Sequence, residues 1–360
     1  WFLARRRWRV NGAESIAAEI GRAGLARVYA HAGGTISRIL EAIDNAGVKV
    51  IVAANEAQAV HMAQGAFRAS GKAQVAIVTS GPGVTNAMTG VADAFYDADA
   101  IVVLCGQVAT DWMRKGEPIR QRGFQETPTV ELMQPICKAA YLVLEAAGAM
   151  MATALLQAAK PRPGPIVLDL PMDMLKAGDG NRGRSPDYSA PRLASPSLAA
   201  PRRATKSTRI LPCLDHARVS VPERVREFME VFRMADHRLI VAGRGCLTAV
   251  SKLREFAATE ASMIVTSLPA VGVGGSLEVG FIGHRGTRQA NRLVANSDVI
   301  LVLGARLDVR QTGTLTDEWA RGKTIASVDY DAGELEHRRV PVDYPFHCSA
   351  EEWLEEALRW

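Results

Sequence analysis

The chain has 360 residues, of which 48% are hydrophobic, and a formal net charge of +5. This length allows two domains with cores of their own, and no apolar run reaches the roughly 20 residues that a membrane helix needs. The excess charge lies in Arg5–Arg7, Arg9 and the middle of the chain, without interleaved aromatic residues. We therefore expect neither a nucleic acid nor a membrane as a partner.

The cysteines are scattered and odd in number, and no two of them form a CxxC pair. They are Cys105, Cys137, Cys213, Cys246 and Cys348. This pattern favours reduced thiols over disulfides or a zinc site and predicts a cytoplasmic location. The chain starts at Trp1, and its Arg-rich start is too short for a signal peptide. We expect a fragment or an upstream start, with the remnant of a transit sequence as the alternative.

Short apolar strands alternate with amphipathic helices from Asn11 to about Met174. After a helix over 13–23, strands are predicted at 27–30, 48–54, 75–79, 101–105 and 165–170. Their near-continuous Val, Ile and Ala runs are typical of strands that are covered on both faces. Residues 1–175 are therefore predicted to form a three-layer α/β domain with a mainly parallel sheet.

A change of composition separates this region from a second α/β unit. Residues 176–221 are rich in Pro, Ser, Ala and Arg without periodicity, which predicts a linker. Residues 222–360 are predicted to form a second three-layer α/β domain with a parallel sheet. Its predicted elements are helices at 222–234 and 351–358 and strands at 239–242, 263–267, 299–303 and 324–329.

A carboxylate and a glycine-rich turn follow two successive strands in the first domain. Glu56 comes after the strand at 48–54, and Thr79–Asn86 comes after the strand at 75–79. Ligands of open α/β folds bind at the carboxyl edge of the sheet, where these segments would meet. For an isolated Glu at the start of a helix, stabilisation by the helix dipole is the structural alternative.

The order of motifs in this domain resembles the pyrimidine-binding domain of thiamine diphosphate (ThDP) enzymes, most closely that of the acetolactate synthase large subunit. The matching segments are 28–36, Glu56, 61–65, 79–86, Gly90, Asp97, 106–108, 124–126, Lys138 and 162–167. The resemblance implies that Glu56 hydrogen-bonds the aminopyrimidine ring and promotes its imino tautomer. Burial disfavours the charged form of a carboxyl group and so suits this task.

The same resemblance assigns roles to other residues of the first domain. Ala32, Gly33, Gly34, Asn86 and Phe124 would contact the cofactor, Gln125 would approach the thiazolium and the substrate, and Lys138 would lie near the entrance. An ordinary polar loop and an ordinary surface charge are the alternatives for Gln125 and Lys138. The chain departs from the family pattern at His31-Ala32, Asn55, Ala57 and Ala98–Ala100, and 111–123 is longer and more basic. These departures leave the 2-oxoacid substrate open.

The second unit resembles the central domain of the same enzymes, which in acetolactate synthases holds FAD without using its redox chemistry. The implied FAD contacts are Gly243, Gly245, Ser267, Leu268, Gly283, His284, Gly304, Arg306, Asp308, Asp329 and Tyr330. Arg310 would bind the carboxylate of the 2-oxoacid, because a guanidinium binds a carboxylate bidentately. An ion pair with Asp308 is the alternative. Val309 and Cys348-Ser349 depart from the flavin-binding pattern.

The resemblance ends with the central domain, and no later segment matches the motif that binds Mg²⁺ and diphosphate. Gly178-Asp179-Gly180 starts like that motif, but it lacks the preceding strand and the following Asn. We therefore expect half of a ThDP site, no metal ligand in this chain and negligible ThDP affinity of the chain alone. Mg²⁺ would bind only through the absent diphosphate domain. The expected partners are the 2-oxoacid substrate and either a second copy of the chain, in a homodimer or higher oligomer, or a separate chain that carries the diphosphate domain.

The resemblance implies a carboligase that converts two pyruvates, or pyruvate and 2-oxobutyrate, into a 2-acetohydroxy acid and CO₂ in branched-chain amino acid biosynthesis. Two alternatives stay open. One is another ThDP-dependent 2-oxoacid decarboxylase or carboligase. The other is a non-catalytic subunit that binds FAD or another nucleotide.

Overall fold

The computed structural model describes residues 10–114, 116, 118–176 and 221–360, which form two compact units, one on either side of 177–220. The Arg-rich start and the Gly178-Asp179-Gly180 motif lie outside the described residues. So does the predicted linker, apart from Lys176 and Val221 at its two ends.

The first unit contains six strands and seven α-helices among its described residues. The strands are β1 (Arg27–Ala30), β2 (Lys49–Val52), β3 (Gln74–Val78), β4 (Ile101–Gln107), β5 (Ala139–Leu142) and β6 (Ile166–Pro171). The helices are α1 (Gly12–Arg22), α2 (Ser37–Asn45), α3 (Glu56–Ser70), α4 (Pro82–Tyr96), α5 (Thr129–Met133), α6 (Ala147–Ala159) and α7 (Met172–Lys176).

The strands form one sheet in the order β2-β1-β3-β4-β6-β5, and every pair is parallel. From β1 the chain continues to one side as β2 and then returns to the other side as β3. The strand order therefore reverses between β1 and β3, which is the switch point where open α/β sheets bind ligands.

Apolar side chains cover both faces of this sheet, as the uninterrupted strand sequences predict. One face packs on α1, α2 and α6 through residues such as Ile16, Ile39 and Met151. The other face packs on α3 and α4 through residues such as Val60 and Val91. All residues of β3 and β4 are buried, so the two central strands carry the core.

The second unit is built in the same way. Its strands are β7 (Arg238–Ala242), β8 (Met263–Thr266), β9 (Glu278–Phe281), β10 (Val299–Leu303), β11 (Thr324–Asp329) and β12 (Tyr344–His347). Its helices are α8 (Val221–Met234), α9 (Val250–Thr259), α10 (Arg288–Asn296), α11 (Val309–Thr312), α12 (Thr316–Ala320), α13 (Ala332–Glu336) and α14 (Ala350–Ala357). The sheet order is β12-β11-β10-β7-β8-β9, again with parallel pairs only.

The prediction of two α/β units with parallel sheets is confirmed, but three strands were not predicted. These are β5, β9 and β12, and each lies at an edge of its sheet. Edge strands are covered less completely, and the sequences of these three lack the long apolar run that identifies a central strand. The remaining edge strand, β2, has such a run and was predicted. In the described part of the chain, no helix is both long and apolar enough to span a membrane.

Candidate functional site

Three turns meet at the switch point of the first sheet and interlock through glycine. A Cβ at Gly33 would lie 2.3 Å from the Thr79 Cβ, and one at Gly106 would lie 2.2 Å from the Thr35 hydroxyl oxygen. The Thr35 and Thr79 hydroxyls share a hydrogen bond of 2.9 Å. Larger residues at Gly33 or Gly106 would separate the turns, so these glycines let the ends of β1, β3 and β4 converge.

Glu56 is the first residue of α3 and points into this convergence. Asn55 caps the helix by accepting the Gln58 N–H at 2.9 Å. The Glu56 side chain is only 12% exposed. Its Oε2 accepts a hydrogen bond from Asn86 Nδ2 at 2.6 Å. The carboxyl group is thus largely shielded and held in one orientation from α4.

His31 lies on the open side of the Glu56 carboxyl group. Its Nδ1 lies 2.9 Å from the Ala53 carbonyl oxygen, which can only accept, so Nδ1 carries the proton. Its Nε2 lies 4.0 Å from Glu56 Oε1, and the His31 side chain is 35% exposed. The ring therefore bridges solvent and the shielded carboxyl group. His31 was predicted only as a departure from the family pattern, and the geometry gives it a place beside Glu56.

Gln125 packs against the glycine-rich turn that follows β3. Gly81 has φ +67° and ψ −129°, which is available to glycine almost alone. A Cβ at Gly81 would lie 2.6 Å from the Cβ of Gln125. Gln125 itself has φ +58°, in the left-handed region. The structure thus brings Gln125 to the same edge of the first sheet as Glu56, although the two residues are far apart in the sequence.

Glu126 closes the basic loop that precedes Gln125. Its two carboxylate oxygens accept the Arg114 N–H at 2.8 Å and the Arg122 N–H at 2.9 Å. Gln121 Oε1 accepts the Gln125 N–H at 2.9 Å. These hydrogen bonds hold the loop in place, and the Phe124 side chain on it is 79% exposed. Gly34 and Ala32, also predicted cofactor contacts, are exposed at the neighbouring turn.

Lys138 is not placed with these residues. It immediately precedes β5, at the amino edge of the sheet, and its Nζ donates to the Gln157 and Lys160 carbonyl oxygens at 2.7 and 2.9 Å. Burial and the charge of Lys160 lower the pKa of Lys138. Because the strands are parallel, a residue before a strand lies at the edge opposite to residues that follow strands. This placement could not be read from the sequence, because β5 itself was not predicted.

In the second unit, four predicted cofactor residues follow four adjacent strands. Asp329 ends β11, Gly304 follows β10, Gly243 follows β7 and Ser267 follows β8. These residues therefore share the carboxyl edge of the second sheet. Leu268, next to Ser267, is 67% exposed there.

Gly243 and Gly245 allow the turn after β7 to pack closely on the end of β10. The Gly243 N–H donates to Leu303 O at 2.8 Å and the Gly245 N–H to Gly304 O at 3.1 Å. A Cβ at Gly243 would lie 2.0 Å from Gly304 O. Neither amide is therefore free to bind a phosphate, so the FAD contacts that the resemblance implies at Gly243 and Gly245 would not use their N–H groups. Arg306 and Arg310 line two pockets of this unit and carry cationic groups that suit an anionic ligand.

Arg306 and Arg310 differ in their surroundings. Arg306 lies 3.8 Å from Glu334 in a partly exposed ion pair. Asp308 accepts the Arg310 backbone N–H at 2.8 Å and caps α11, so the alternative of an Asp308–Arg310 side-chain pair is not formed. Within the described ranges the Arg310 guanidinium has no ion-pair partner. It borders a pocket of about 450 Å³ together with His284.

The side chain of Asn291 holds the loop that carries Gly283 and His284 through two hydrogen bonds. Asn291 accepts the Gly283 N–H and donates to the Gly283 carbonyl oxygen, both at 2.9 Å. The His284 N–H donates to Arg310 O at 2.7 Å. These bonds fix His284 against the segment that begins α11.

The remaining predicted contacts lie near the end of β11. Asp329 accepts the Asp331 N–H at 2.9 Å, and Tyr330 is 51% exposed with its ring against His347. Ser349 caps α14, which accounts for it structurally. Burial raises the pKa of the Cys348 thiol to about 12, so that thiol is neutral at physiological pH.

Two family models match the two units. Residues 10–132 match the thiamine pyrophosphate enzyme N-terminal TPP binding domain, and residues 225–357 match the thiamine pyrophosphate enzyme central domain. The chain belongs to the thiamine pyrophosphate enzyme family. Its glycine-rich edge, Glu56 and Asn86 lie within the first match, and Arg306 and Arg310 lie within the second.

The chain is also similar to curated acetolactate synthases. It is 30% identical to the acetolactate synthase isozyme 3 large subunit of Escherichia coli K12, over 97% of this chain and 57% of that protein. It is 29% identical to the Lactococcus lactis large subunit, over 93% of this chain and 54% of that protein. It is 29% identical to chloroplastic acetolactate synthase 2 of Nicotiana tabacum, over 92% and 47%. The chain thus spans about half the length of these relatives.

Sequence reasoning missed one further group in the first unit. Asp169 interrupts the otherwise apolar strand β6, and it is 2% exposed. A charged residue within a run that is predicted to be buried is the signal that could have found it. In the described ranges no three His, Cys, Asp or Glu side chains are placed to share a metal ion.

Proposed function

We propose that this chain supplies the aminopyrimidine side of an acetolactate synthase-like, ThDP-dependent carboligase. The reaction would join two pyruvates, or pyruvate and 2-oxobutyrate, with loss of CO₂, in branched-chain amino acid biosynthesis. Membership in the family and similarity to proteins named acetolactate synthase support this reaction. The observation that carries it is a shielded Glu56 carboxyl group, oriented by Asn86 at the switch point.

The chemistry of the first unit fits the cofactor. Glu56 Oε1 forms no hydrogen bond with any described residue, whereas Oε2 is occupied by Asn86 Nδ2. A carboxyl oxygen that is shielded but unpaired can exchange a proton with a weakly basic ring nitrogen. When bound, ThDP would supply the nucleophile and the electron sink for decarboxylation.

Each of these side chains would have a separate role in the proposed reaction. Because the Asn86 amide donates to Oε2, a proton on the Glu56 carboxyl group is directed to Oε1. His31 Nε2, 4.0 Å away and partly exposed, is placed to exchange that proton with solvent. Gln125 presents an amide against Gly81 for an oxygen of the substrate. Arg310 offers a guanidinium for a 2-oxoacid carboxylate.

The remaining cofactors and partners are part of the proposal. FAD would lie at the carboxyl edge of the second sheet, with its phosphates at Arg306 and not at the amides of Gly243 and Gly245. Mg²⁺ and the diphosphate would be held by a diphosphate domain on a separate polypeptide or on a longer form of this protein. The chain would act in a homodimer or a higher oligomer, or together with that separate polypeptide.

The test is formation of 2-acetolactate from pyruvate. The chain would be co-expressed with the portion of the E. coli relative that it does not match, and assayed with ThDP, Mg²⁺ and FAD. We expect product with the natural chain and a loss of about 10²–10⁴-fold with Glu56→Gln, because positioned proton transfer contributes that much. A different product from another 2-oxoacid would favour the second enzyme class. A yellow, FAD-loaded chain without turnover would favour a nucleotide-binding subunit.

A further inference from the structure

A buried polar chain leads from the middle of the first sheet to the loop that carries Gln125. Asp169 on β6 is 2% exposed, and Gln107 at the end of β4 is fully buried. Gln107 Nε2 donates to Asp169 Oδ2 at 3.0 Å and to the Thr127 carbonyl oxygen at 2.7 Å. Gln107 Oε1 accepts the Val108 N–H at 2.9 Å. Both ends of the Gln107 amide are used, so its orientation is fixed.

The chain continues from Thr127 to Gln125. The Thr127 hydroxyl donates to the Gln125 carbonyl oxygen at 3.1 Å. Gln125 has φ +58°. It packs so closely on Gly81 that a Cβ added at Gly81 would lie 2.6 Å from the Gln125 Cβ. A non-glycine residue persists in this backbone region only when its surroundings hold it there. Gln107 and Thr127 provide that support from beneath.

Asp169 has an unusual environment for a carboxyl group. Its Oδ1 has no hydrogen-bond partner among the described residues. Burial raises the pKa of Asp169 to about 8, although hydrogen bonds from Gln107 and Thr129 oppose the shift. The ionisable groups that face it are Cys105 on β4 and Glu131 on α5, and the charge of Glu131 raises the pKa further. No cation in the described structure compensates a charge on Asp169.

We propose that Asp169 and Gln107 are positioning residues that hold Gln125 in place, and that the loop stays closed while Asp169 keeps its proton. The importance of Gln125 to catalysis rests on the proposed function, whereas the coupling between Asp169 and the loop does not.

The consequence is a loop whose opening depends on pH. A buried carboxylate without a counter-ion needs water, and opening of residues 118–128 would admit it. An open state in which Asp169 is hydrated releases its proton near the ordinary pKa of 3.8, whereas the closed state holds it up to about pH 8. Opening must therefore become more frequent as pH rises between these values.

Amide hydrogen exchange of the full chain, without cofactor or substrate, tests this coupling. After division by the intrinsic chemical rate, protection of residues 118–128 should fall by about tenfold per pH unit from pH 5 to 7 and level off above pH 8. Asp169→Asn, which mimics the protonated acid, should remove this slope. Gln107→Met should lower protection by about tenfold at every pH and leave the slope.

Two controls separate the coupling from general instability. Asp99→Asn removes another fully buried carboxyl group of the same unit, and it should leave the slope in the loop unchanged. Peptides from β10 report effects of pH on the second unit. A loop in the natural chain whose protection does not change with pH overturns the proposal, and so does an Asp169→Asn slope equal to the natural one. Because no ligand is present, neither result depends on whether the chain is a carboligase.

Discussion

The side-chain amide of Asn86 donates a 2.6 Å hydrogen bond to Oε2 of Glu56, joining α4 to the first turn of α3. Helix α3 follows β2 and α4 follows β3, which lie on either side of β1 in the sheet. The bond therefore fixes the direction of the carboxyl group between these two helices. The remaining oxygen, Oε1, is left toward His31 and the open side of the site.

Removal of the Asn86 donor should reduce turnover without unfolding the chain. Asn86 is exposed, so Asn86→Ala should change the free energy of unfolding by less than about 0.5 kcal/mol. Loss of the bond frees the carboxyl group to rotate, and we expect acetolactate formation to fall by about 10–100-fold. Thr85→Ala, at the neighbouring exposed position of the same helix, is the control for kinetics and should keep most of the activity.

Gly81→Ala should destabilise the first unit by about 1–3 kcal/mol, because φ +67° and ψ −129° disfavour any side chain. The new methyl group would also displace Gln125. Gly65→Ala is the matched control, since Gly65 lies inside α3 with open space around it. There the substitution should stabilise by about 0.5–1 kcal/mol. Urea unfolding of both variants gives the comparison, and equal effects would contradict the strain at Gly81.

The stability of the first unit should fall with rising pH because of Asp169. Its pKa is raised from 3.8 to about 8 in the folded chain, so the folded state binds one more proton between these values. The contribution is fully present below pH 4 and is lost as pH rises to about 8, at about 1.4 kcal/mol per pH unit. The difference in unfolding free energy between Asp169→Asn and the natural chain should therefore grow with pH. A constant difference would argue against a protonated Asp169.

Arg68 should matter far more than an ordinary surface arginine. Its guanidinium lies 2.6 Å from the carboxylate of Asp99, which is fully buried. Arg68→Met would leave that charge without its main partner and should destabilise by about 3–5 kcal/mol. Arg22→Met breaks an exposed pair with Glu19 in the same unit and should cost less than about 1 kcal/mol. Similar losses for both variants would show that Asp99 is solvated.

Gly243→Ala and Arg306→Gln should separate folding from nucleotide binding in the second unit. A methyl group at Gly243 would meet Gly304 O, so Gly243→Ala should lower thermal stability. In the described ranges Arg306 forms a partly exposed pair with Glu334, so Arg306→Gln should leave stability within about 0.5 kcal/mol. FAD titration followed by absorbance should show weaker binding by Arg306→Gln. Unchanged FAD affinity in that variant would move the phosphate contact elsewhere.

Much of the fold could be read from local sequence. The central strands are apolar runs such as Val299–Leu303, and burial on both faces leaves no other composition for them. The edge strands β5, β9 and β12 could not be read in this way, because one side of each is unpaired and their residues are less buried.

The sequence by itself determined the family, the two parallel α/β units and the placement of Glu56 after a strand, because these depend on short-range patterns of apolar residues and glycine. The tertiary structure decided which contacts are made by the side chains at the edge of the sheet that carries Glu56. It placed Asn86 and His31 next to the Glu56 carboxyl group, Gln125 against Gly81, and Lys138 at the opposite edge. It also paired the Gly243 and Gly245 amides with the carbonyl oxygens of Leu303 and Gly304. The physical reason is that strand order and hydrogen-bond pairing between distant segments are not encoded in any local stretch of the chain.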